Sequence, residues 1–394
     1  MHLERLELVD YRSYPNATLD LGPGPRVFTG ANAQGKTNLL EAIHYLAVGS
    51  SHRVAAEAPL VHVGADAAII RAVLQLAEAG RRVTVEHELR PGGRNRARLN
   101  GQLQQRQRDA LGVLRSVLFA PEDLALVRAE PAERRRFLDE LLGQRRPAYL
   151  GARQDYERVL RQRNTLLKQL RGTAPEAATR EALATWTDQL ARTGAMLVAA
   201  RIAVVHALAG PAAEAYRHLA TDAPGGKSGQ GLALAYELSS GRIVAGDPGG
   251  GVPDPAALAE ELADGLGEVG AAERERGLTL VGPHRDDLRI TVGELPARGY
   301  ASHGEGWSAA LALRLGSREV LREVGEEPIV LLDDVFAELD DRRRARLAER
   351  CAAFEQVLVT AAVDADVPLA GPRYAVELGR VSPLDGTTRG RVVS

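Results

Sequence analysis

The sequence predicts an α/β protein with two lobes. The two ends of the chain form one lobe, a mixed sheet with helices, and the middle forms a second, largely helical lobe. Alternating apolar and polar residues, typical of half-buried strands, recur through the first part of the chain up to about residue 119. From residue 121 the apolar period becomes helical, and strands return only near residue 278. We place the first lobe at 1–118 and 320–394 and the second at 119–319.

In the first lobe, short strands surround one early helix. Asn100-Gly101 is the strongest turn signal, because this dipeptide favours a two-residue hairpin. Leu39, Leu40 and Ile43 mark one face of the helix. The expected strands cover 3–8, 17–21, 26–29, 67–77, 81–90, 94–105, 113–119, 329–332 and 356–360, and the expected helices cover 37–49 and 340–354.

In the second lobe, residues 147–171 and 183–208 carry apolar side chains at heptad spacing and predict an antiparallel helix pair. The pair fits either a bundle core or an arm that binds a partner. Pro131 is typical of a first helical turn and predicts another helix there. Further expected elements are loops at 223–231 and 245–255, strands at 278–281 and 287–292, and a helix at 306–324.

Composition excludes several classes of protein. The only cysteine, Cys351, cannot form a disulfide within one chain or a cysteine-based zinc site, which favours a reducing cytoplasm. The start, MHLERLELVD, lacks the basic and apolar regions of a signal peptide. Residues 196–213 are the most apolar stretch, but Arg201 and His206 interrupt it. We therefore expect a buried helix there and no membrane partner.

A phosphate-binding loop lies between the strand at 26–29 and the following helix. It matches the pattern G-x-x-x-x-G-K-[ST] through Gly30, Ala31, Asn32, Ala33, Gln34, Gly35, Lys36 and Thr37, and Asn38 follows. The glycines let backbone N–H groups surround a phosphate at the helix N-terminus. Lys36 can bridge phosphate oxygens, and the Thr37 hydroxyl can bind Mg²⁺. Lysine is a rare choice here, because 47 of the 50 basic residues are arginines.

An apolar strand at 329–332 ends in two carboxylates. We assign Asp333 to the Mg²⁺ shell and Asp334 to orienting the attacking water or accepting its proton. An Asp-Asp pair is also common at strand ends and turns, and only the phosphate loop favours the functional interpretation.

Several stretches together resemble a known family. They are Leu6–Tyr14, Phe119–Leu124, Arg134–Asp139, Gly282–Asp287, Tyr300–Glu305 and Val330–Asp340. In this order they are similar to the ABC-type ATPases that act on DNA, in the ABC/SMC-like family, and most closely to the RecF family. The resemblance implies an ABC-type P-loop ATPase head plus a helical lobe. The short 147–208 segment and the lack of zinc-hook cysteines separate it from the long-armed SMC relatives.

The resemblance also implies roles for single residues. Glu122 occupies the Q-loop position, with a part in catalysis and Mg²⁺ binding. Ser302 and Gly304 belong to a signature loop that completes the ATP site of a second copy; on sequence alone, Ser302 could equally be a helix cap. Thr360 would sense the γ-phosphate. Arg12 either faces the nucleotide or is a solvated strand arginine. Glu305 stands where many relatives have glutamine.

The implied function is ATP-dependent DNA binding in repair and recombination. The protein would form a homodimer with ATP and DNA, bind gapped or junction DNA, hydrolyse ATP slowly with stimulation by DNA, and help to load the recombinase RecA with RecR and RecO. Two alternatives remain open at this point: an ATPase subunit of an ABC transporter, and a P-loop kinase of small molecules.

The distribution of charge allows a local DNA-binding face. The net charge is −2, yet residues 90–171 carry 19 basic and nine acidic side chains, a net charge of +10. Residues 220–275 carry a net charge of −7. The arginines we expect to face DNA phosphates are Arg94, Arg96, Arg98, Arg134 and Arg135. Such a run of arginines is also often a solvated face.

Overall fold

The computed structural model describes residues 1–77, 80–171, 176–220 and 231–384. The chain divides into two compact units. The first contains Met1–Asp123, His218–Gly226 and Leu311–Ser394, and the second contains Leu124–Arg217 and Lys227–Ala310, as far as each range is described. Apart from residue 231, the loop expected at 223–231 lies outside the described residues.

The first unit contains an antiparallel sheet of six strands. In spatial order they are β2 (Tyr14–Asp20), β1 (His2–Tyr11), β4 (Ala68–Gln75), β5 (Arg82–Leu89), β6 (Arg96–Leu99) and β7 (Gln102–Leu103). Asn100 and Gly101 form the turn between β6 and β7, and both have the positive φ that a tight hairpin turn requires. The hairpin expected from the sequence is therefore confirmed.

A second, mostly parallel sheet of six strands lies in the same unit. In spatial order they are β16 (Arg380–Pro383), β15 (Arg373–Glu377), β3 (Gly24–Thr29), β14 (Gln356–Ala361), β13 (Ile329–Asp333) and β8 (Ser116–Phe119). Only β16 runs antiparallel to its neighbour. Helix α1 (Lys36–Val48) shares one hydrophobic core with both sheets, through residues such as Leu8, Leu40 and Leu331. Packing of α1 against both sheets thus fixes the position of its first turn.

The second unit combines helices with a small antiparallel sheet. Its helices are α2 (Leu124–Arg128), α3 (Pro131–Arg145), α4 (Ala148–Gln169), α5 (Ala177–Ala220), α6 (Pro255–Glu268), α7 (Gly270–Arg276) and α8 (Ala297–Tyr300); its strands, in spatial order, are β10 (Ile243–Ala245), β9 (Leu232–Glu237), β11 (Asp287–Val292) and β12 (Leu295–Pro296). Helix α9 (His303–Arg322) begins in this unit and ends in the first, where α10 (Asp341–Ala352) also lies.

Helices α4 and α5 form the antiparallel pair that the heptad pattern predicts. Arg163 donates to Thr187 at 3.0 Å, and the Tyr156 ring lies beside Gly194, so residue numbers fall along one helix as they rise along the other. Helix α5 is the one described helix long and apolar enough to cross a membrane, but 67% of its most apolar window is buried in the protein. This burial is typical of a core helix.

The strand expected at 278–281 is wrong. The backbone N–H groups of Thr279 and Leu280 donate to the side chains of Asn164 and Glu273 instead of to a neighbouring strand. Glu273 in turn pairs with the buried Arg163 at 2.6 Å. Polar side chains of α4 and α7 thus accept the backbone hydrogen bonds of this apolar run, and a strand pattern in the sequence cannot reveal such partners.

A buried ion pair fixes the centre of the second unit. Arg201 on α5 donates to both carboxylate oxygens of Asp139 on α3, at 2.9 and 3.1 Å, and to the carbonyl oxygen of Pro283 at 2.6 Å. Tyr149 also donates to Asp139. Beside Pro283, His284 accepts a hydrogen bond from Tyr156, and burial lowers the pKa of His284 to about 4. His284 is therefore a neutral member of a polar network.

Candidate nucleotide-binding site

Strand ends of the parallel sheet bring the expected nucleotide residues together. In the register of the sheet, Asp333 on β13 lies opposite Thr360 on β14, and Ala361 lies opposite Thr29 on β3. The phosphate loop follows Thr29 directly, so it starts at the same edge as the two carboxylates. Carboxyl ends of parallel strands are where open α/β sheets bind their ligands.

The loop conformation depends on its two glycines. A Cβ on Gly30 would lie 2.3 Å from the carbonyl oxygen of Val376, and Gly35 has a φ of +110° that L residues rarely adopt. Gly35 precedes α1 and has no side chain to cap the helix. Lys36 is 4% exposed and donates to the carbonyls of Gly30 and Ala31 at 2.9 and 3.1 Å. Ala31, Asn32 and Ala33 are exposed.

Two hydroxyl groups meet on one carboxylate oxygen. Thr37 and Thr360 both donate to Oδ1 of Asp333, at 3.0 and 2.6 Å. Thr360 Oγ1 also accepts the backbone N–H of Asp334 at 3.0 Å. The threonine expected to sense the γ-phosphate therefore links the Asp333 carboxylate to the backbone of Asp334.

Asp333 is 4% exposed, and its pKa is raised to about 6. Burial is the largest cause, since it disfavours the charged form. Hydrogen bonds from Thr360 and Thr37 act in the opposite direction, while the charges of Asp334 and Glu122 raise the pKa further. The three carboxylates are thus close enough to repel one another, a situation that a bound cation would relieve.

The residues at this edge fit an Mg²⁺ ion with a nucleotide. The buried Oδ1 atom of Asp334 has no hydrogen-bond partner among the described residues, and Asp334 has a φ of +50°. Within the described chain, no group of three or more His, Cys, Asp and Glu side chains could hold a metal alone. A hydroxyl, one or two carboxylates and phosphate oxygens are what Mg²⁺ sites of this type use.

Arg12 is held by a buried glutamate of α1. It donates to Glu41 Oε2 and Oε1 at 2.9 and 2.7 Å, and the Glu41 side chain is fully buried. Ser51 also donates to Glu41. Arg12 is thus neither a simple solvated arginine nor a free cation, and its contact with a nucleotide stays a prediction.

The turn between β1 and β2 supports the start of α1, which the sequence analysis did not anticipate. Tyr14 donates to the carbonyl of Gly35 at 2.9 Å, and Asn38 donates to Ser13 at 3.0 Å. The sequence does contain one sign of this contact: Glu41 is a single acid inside an apolar helical stretch, and its partner Arg12 lies in the turn. Asn38 therefore faces this turn.

Ser302 and Glu305 form a reciprocal helix cap in the second unit. Ser302 Oγ accepts the Glu305 N–H at 3.2 Å, and Glu305 Oε2 accepts the Ser302 N–H at 2.8 Å. This is a capping box at the start of α9. Of the two roles considered for Ser302, the structure shows the helix cap, and Gly304 lies in the first turn that this cap closes. Such a cap leaves the hydroxyl proton of Ser302 able to donate to a ligand.

The expected DNA-facing arginines differ in exposure and belong to both units. Arg94 is exposed and donates to the Gln105 carbonyl, and Arg96 is exposed with Glu88 at 3.8 Å. Arg98 pairs with Glu86, at the end of the cross-strand row Glu7, Arg71, Glu86 and Arg98. Its charge is therefore balanced within the sheet.

The two arginines of the second unit are engaged inside it. Arg134 is 3% exposed and donates to both oxygens of Asp287, at 2.7 and 2.8 Å. Arg135 is partly buried and donates to the carbonyl of Asp286 at 2.8 Å. The structure corrects the placement of Arg134, because a buried arginine with a bidentate partner does not offer its charge to DNA.

Comparisons with known proteins identify the family of the chain. The family described as "RecF/RecN/SMC N terminal domain" matches residues 2–376. The chain is 53% identical to the DNA replication and repair protein RecF of Streptomyces avermitilis, over 97% of this chain and 99% of that protein. It is also 53% identical to the RecF of Kineococcus radiotolerans, over 94% and 95% of the two chains.

Solved structures show the same fold. A RecF described as the recombination mediator protein in the RecFOR pathway matches with a TM-score of 0.87 at 27% identity, over 98% of both chains. The Smc head domain of Pyrococcus furiosus, at 17% identity and a TM-score of 0.52, supports the fold alone. The family match covers residues 2–376, and the relatives are 53% identical over 94% or more of the chain. The chain therefore belongs to the RecF family of ABC/SMC-like ATPases.

Proposed function

We propose that this protein is an ATP-dependent DNA-binding protein of repair and recombination, which dimerises on ATP and DNA and helps to load a recombinase. The observation that carries the proposal is Asp333, whose Oδ1 accepts hydrogen bonds from Thr37 of the phosphate loop and from Thr360. This arrangement joins the loop to the carboxylate pair in a chain that closely resembles proteins of DNA replication and repair.

The residues at the strand ends divide the work of ATP hydrolysis. Lys36 supplies positive charge to the phosphates from a position fixed by the loop. Thr37, Asp333 and Glu122 would hold Mg²⁺, which when bound neutralises phosphate charge. Asp334 orients a water molecule and accepts its proton, and Thr360 senses the γ-phosphate. Thr360 fits that role because it contacts both Asp333 and the backbone of Asp334.

Assembly of two copies would complete the site. We propose that Ser302 and Gly304 of one copy contact the nucleotide bound by the other, so that ATP stabilises the dimer and hydrolysis releases it. Hydrolysis would then be slow and stimulated by DNA. RecR, RecO and, indirectly, RecA are the protein partners we propose, with cytoplasmic location.

Ser302→Arg should leave ATP binding nearly unchanged but prevent ATP-dependent dimerisation, because a bulky cation replaces the capping hydroxyl. Lys36→Met should abolish nucleotide binding itself. Sedimentation velocity with ATP and a nucleotide titration on the same preparations measure both properties. Thr165→Arg, which changes an exposed hydroxyl residue on α4, is the matched control. Dimerisation of Ser302→Arg with ATP at the wild-type affinity would contradict the shared site.

DNA binding should depend on Arg94 and Arg96, the two exposed members of the proposed set. Neutralising both as Arg94→Gln/Arg96→Gln should weaken binding of gapped duplex several-fold. It should also lower the slope of log affinity against log salt by about 2, if each arginine contacts a phosphate. Fluorescence anisotropy at several salt concentrations measures both. Arg82→Gln removes an exposed arginine that already pairs with Glu4 and should change neither quantity.

The alternative functions make different demands. An ABC transporter subunit would bind a membrane protein and not DNA, and a small-molecule kinase would consume ATP only with an acceptor. ATP consumption that responds to DNA, and to no small acceptor, separates the proposed function from both.

A further inference from the structure

The turn between β15 and β16 holds the phosphate loop from outside. The backbone N–H of Leu378 donates to Gln34 Oε1 at 2.8 Å, and the backbone N–H of Gly379 donates to the Gln34 carbonyl at 3.1 Å. Both the side chain and the backbone of one loop residue are thus bonded to consecutive residues of a strand turn more than 340 residues away in sequence.

The same turn also contacts the turn between β1 and β2. A Cβ on Gly379 would lie 2.0 Å from the Ser13 carbonyl oxygen, so only glycine fits there. Ser13 in turn lies against the loop, because a Cβ on Gly35 would be 2.7 Å from Ser13 Oγ. Leu378 itself has a φ of +47°, which is costly for a residue with a side chain. The surrounding contacts must therefore hold this turn in place.

We propose that the turn at Leu378 and Gly379 is a clamp on the phosphate loop, and that Gln34 is a positioning residue whose side chain binds the clamp and not the nucleotide. The inference rests on the proposed binding of ATP at this loop. It changes the role expected for Gln34, whose amide oxygen is already occupied by Leu378. Because the bonds act in both directions, ordering of the loop by a nucleotide must also order the β15–β16 hairpin.

The clamp gives the protein a link between nucleotide occupancy and its C-terminal hairpin. β15 pairs with β3, the strand that leads into the loop, and β16 forms the edge of the same sheet. Binding or loss of ATP should therefore change the order of residues on this edge strand through the turn at Leu378 and Gly379, although these residues do not contact the phosphates.

Gln34→Met removes the amide oxygen at nearly constant length and should weaken ATP binding about fivefold, the factor for one hydrogen bond that pre-orders the loop. Gly379→Ala should weaken it at least as much, because the added Cβ forces the two turns apart. Gln104→Met is the matched control, since its side chain bonds to the Gln102 carbonyl in another turn of the same unit. It should bind ATP like the wild type.

Hydrogen–deuterium exchange distinguishes positioning from general destabilisation. In the wild type, saturating ATP should slow exchange both in α1 and in residues 374–384. In Gln34→Met at saturating ATP, α1 should still be protected, while residues 374–384 should respond less than in the wild type, because only the backbone bond from Gly379 to position 34 remains. Wild-type affinity of Gln34→Met, or no response of residues 374–384 in the wild type, overturns the clamp. Failure of the wild type to bind ATP at all would instead overturn the proposed function.

Discussion

Asp333→Asn is expected to stabilise the folded protein while it abolishes Mg²⁺-dependent ATP binding. Burial raises the pKa of Asp333 from 3.8 to about 6, so the ionised carboxylate opposes folding at neutral pH. Asparagine keeps an oxygen that accepts the hydrogen bonds of Thr37 and Thr360, but it carries no charge. We expect a gain on the order of 2–3 kcal/mol in the free energy of unfolding at pH 8. Urea denaturation in EDTA measures this gain.

The pH dependence of that gain has a definite sign. A carboxyl with a higher pKa in the folded state binds protons more tightly when folded, so the contribution of Asp333 to wild-type stability falls as pH rises from about 4 to about 6. The loss is nearly complete above about pH 7. The stability difference between Asp333→Asn and the wild type should therefore shrink as pH falls from 7 toward 4. A difference that is constant with pH would show that the carboxylate is not the destabilising group.

Arg201→Met is expected to cost about 3 kcal/mol of stability, because it leaves the Asp139 carboxylate buried without its main partner. The carbonyl of Pro283 also loses its donor. Among the described residues, Tyr149 and the more distant Arg153, at 3.5 Å, would remain on Asp139. Chemical denaturation followed by circular dichroism measures the loss.

A second substitution tests the cause of this loss. Asp139→Leu in the Arg201→Met background removes the uncompensated charge, and part of the stability should return. If the double variant is less stable than Arg201→Met, simple loss of packing explains the effect better than the buried charge. Arg192→Met, which removes an exposed arginine paired with Asp188 on the same helix, should cost less than about 1 kcal/mol.

The parts of the site that the sequence could predict are those with local chemistry. The phosphate loop is one continuous motif, and the Asp333–Asp334 pair ends an apolar strand. Both can therefore be recognised from the local sequence, without knowledge of the fold. Their meeting also follows from a general rule, because parallel strands present their carboxyl ends at one edge. The hairpin at Asn100-Gly101 was predictable for the same local reason.

The features that the sequence missed depend on partners far along the chain. Arg134 looked like a DNA-facing arginine because Asp287, 153 residues away, could not be identified as its partner. Residues 278–281 have the apolar pattern of a strand, but the side chains of Asn164 and Glu273 accept their backbone hydrogen bonds in place of a neighbouring strand. The sequence contains no sign of these distant partners. Gln34 matched a loop position by motif, yet its side chain turns to Leu378 near the other end of the chain.

The burial of Lys36 has a practical consequence for chemical labelling. The whole sequence contains three lysines, and Lys168, in contrast to Lys36, lies exposed on α4. Amine-reactive reagents therefore reach Lys168 on a surface whose many arginines do not react, while Lys36 of the phosphate loop is shielded by its bonds to Gly30 and Ala31. Cross-linkers and dyes that target amines can thus be attached to this protein while its nucleotide site stays chemically intact.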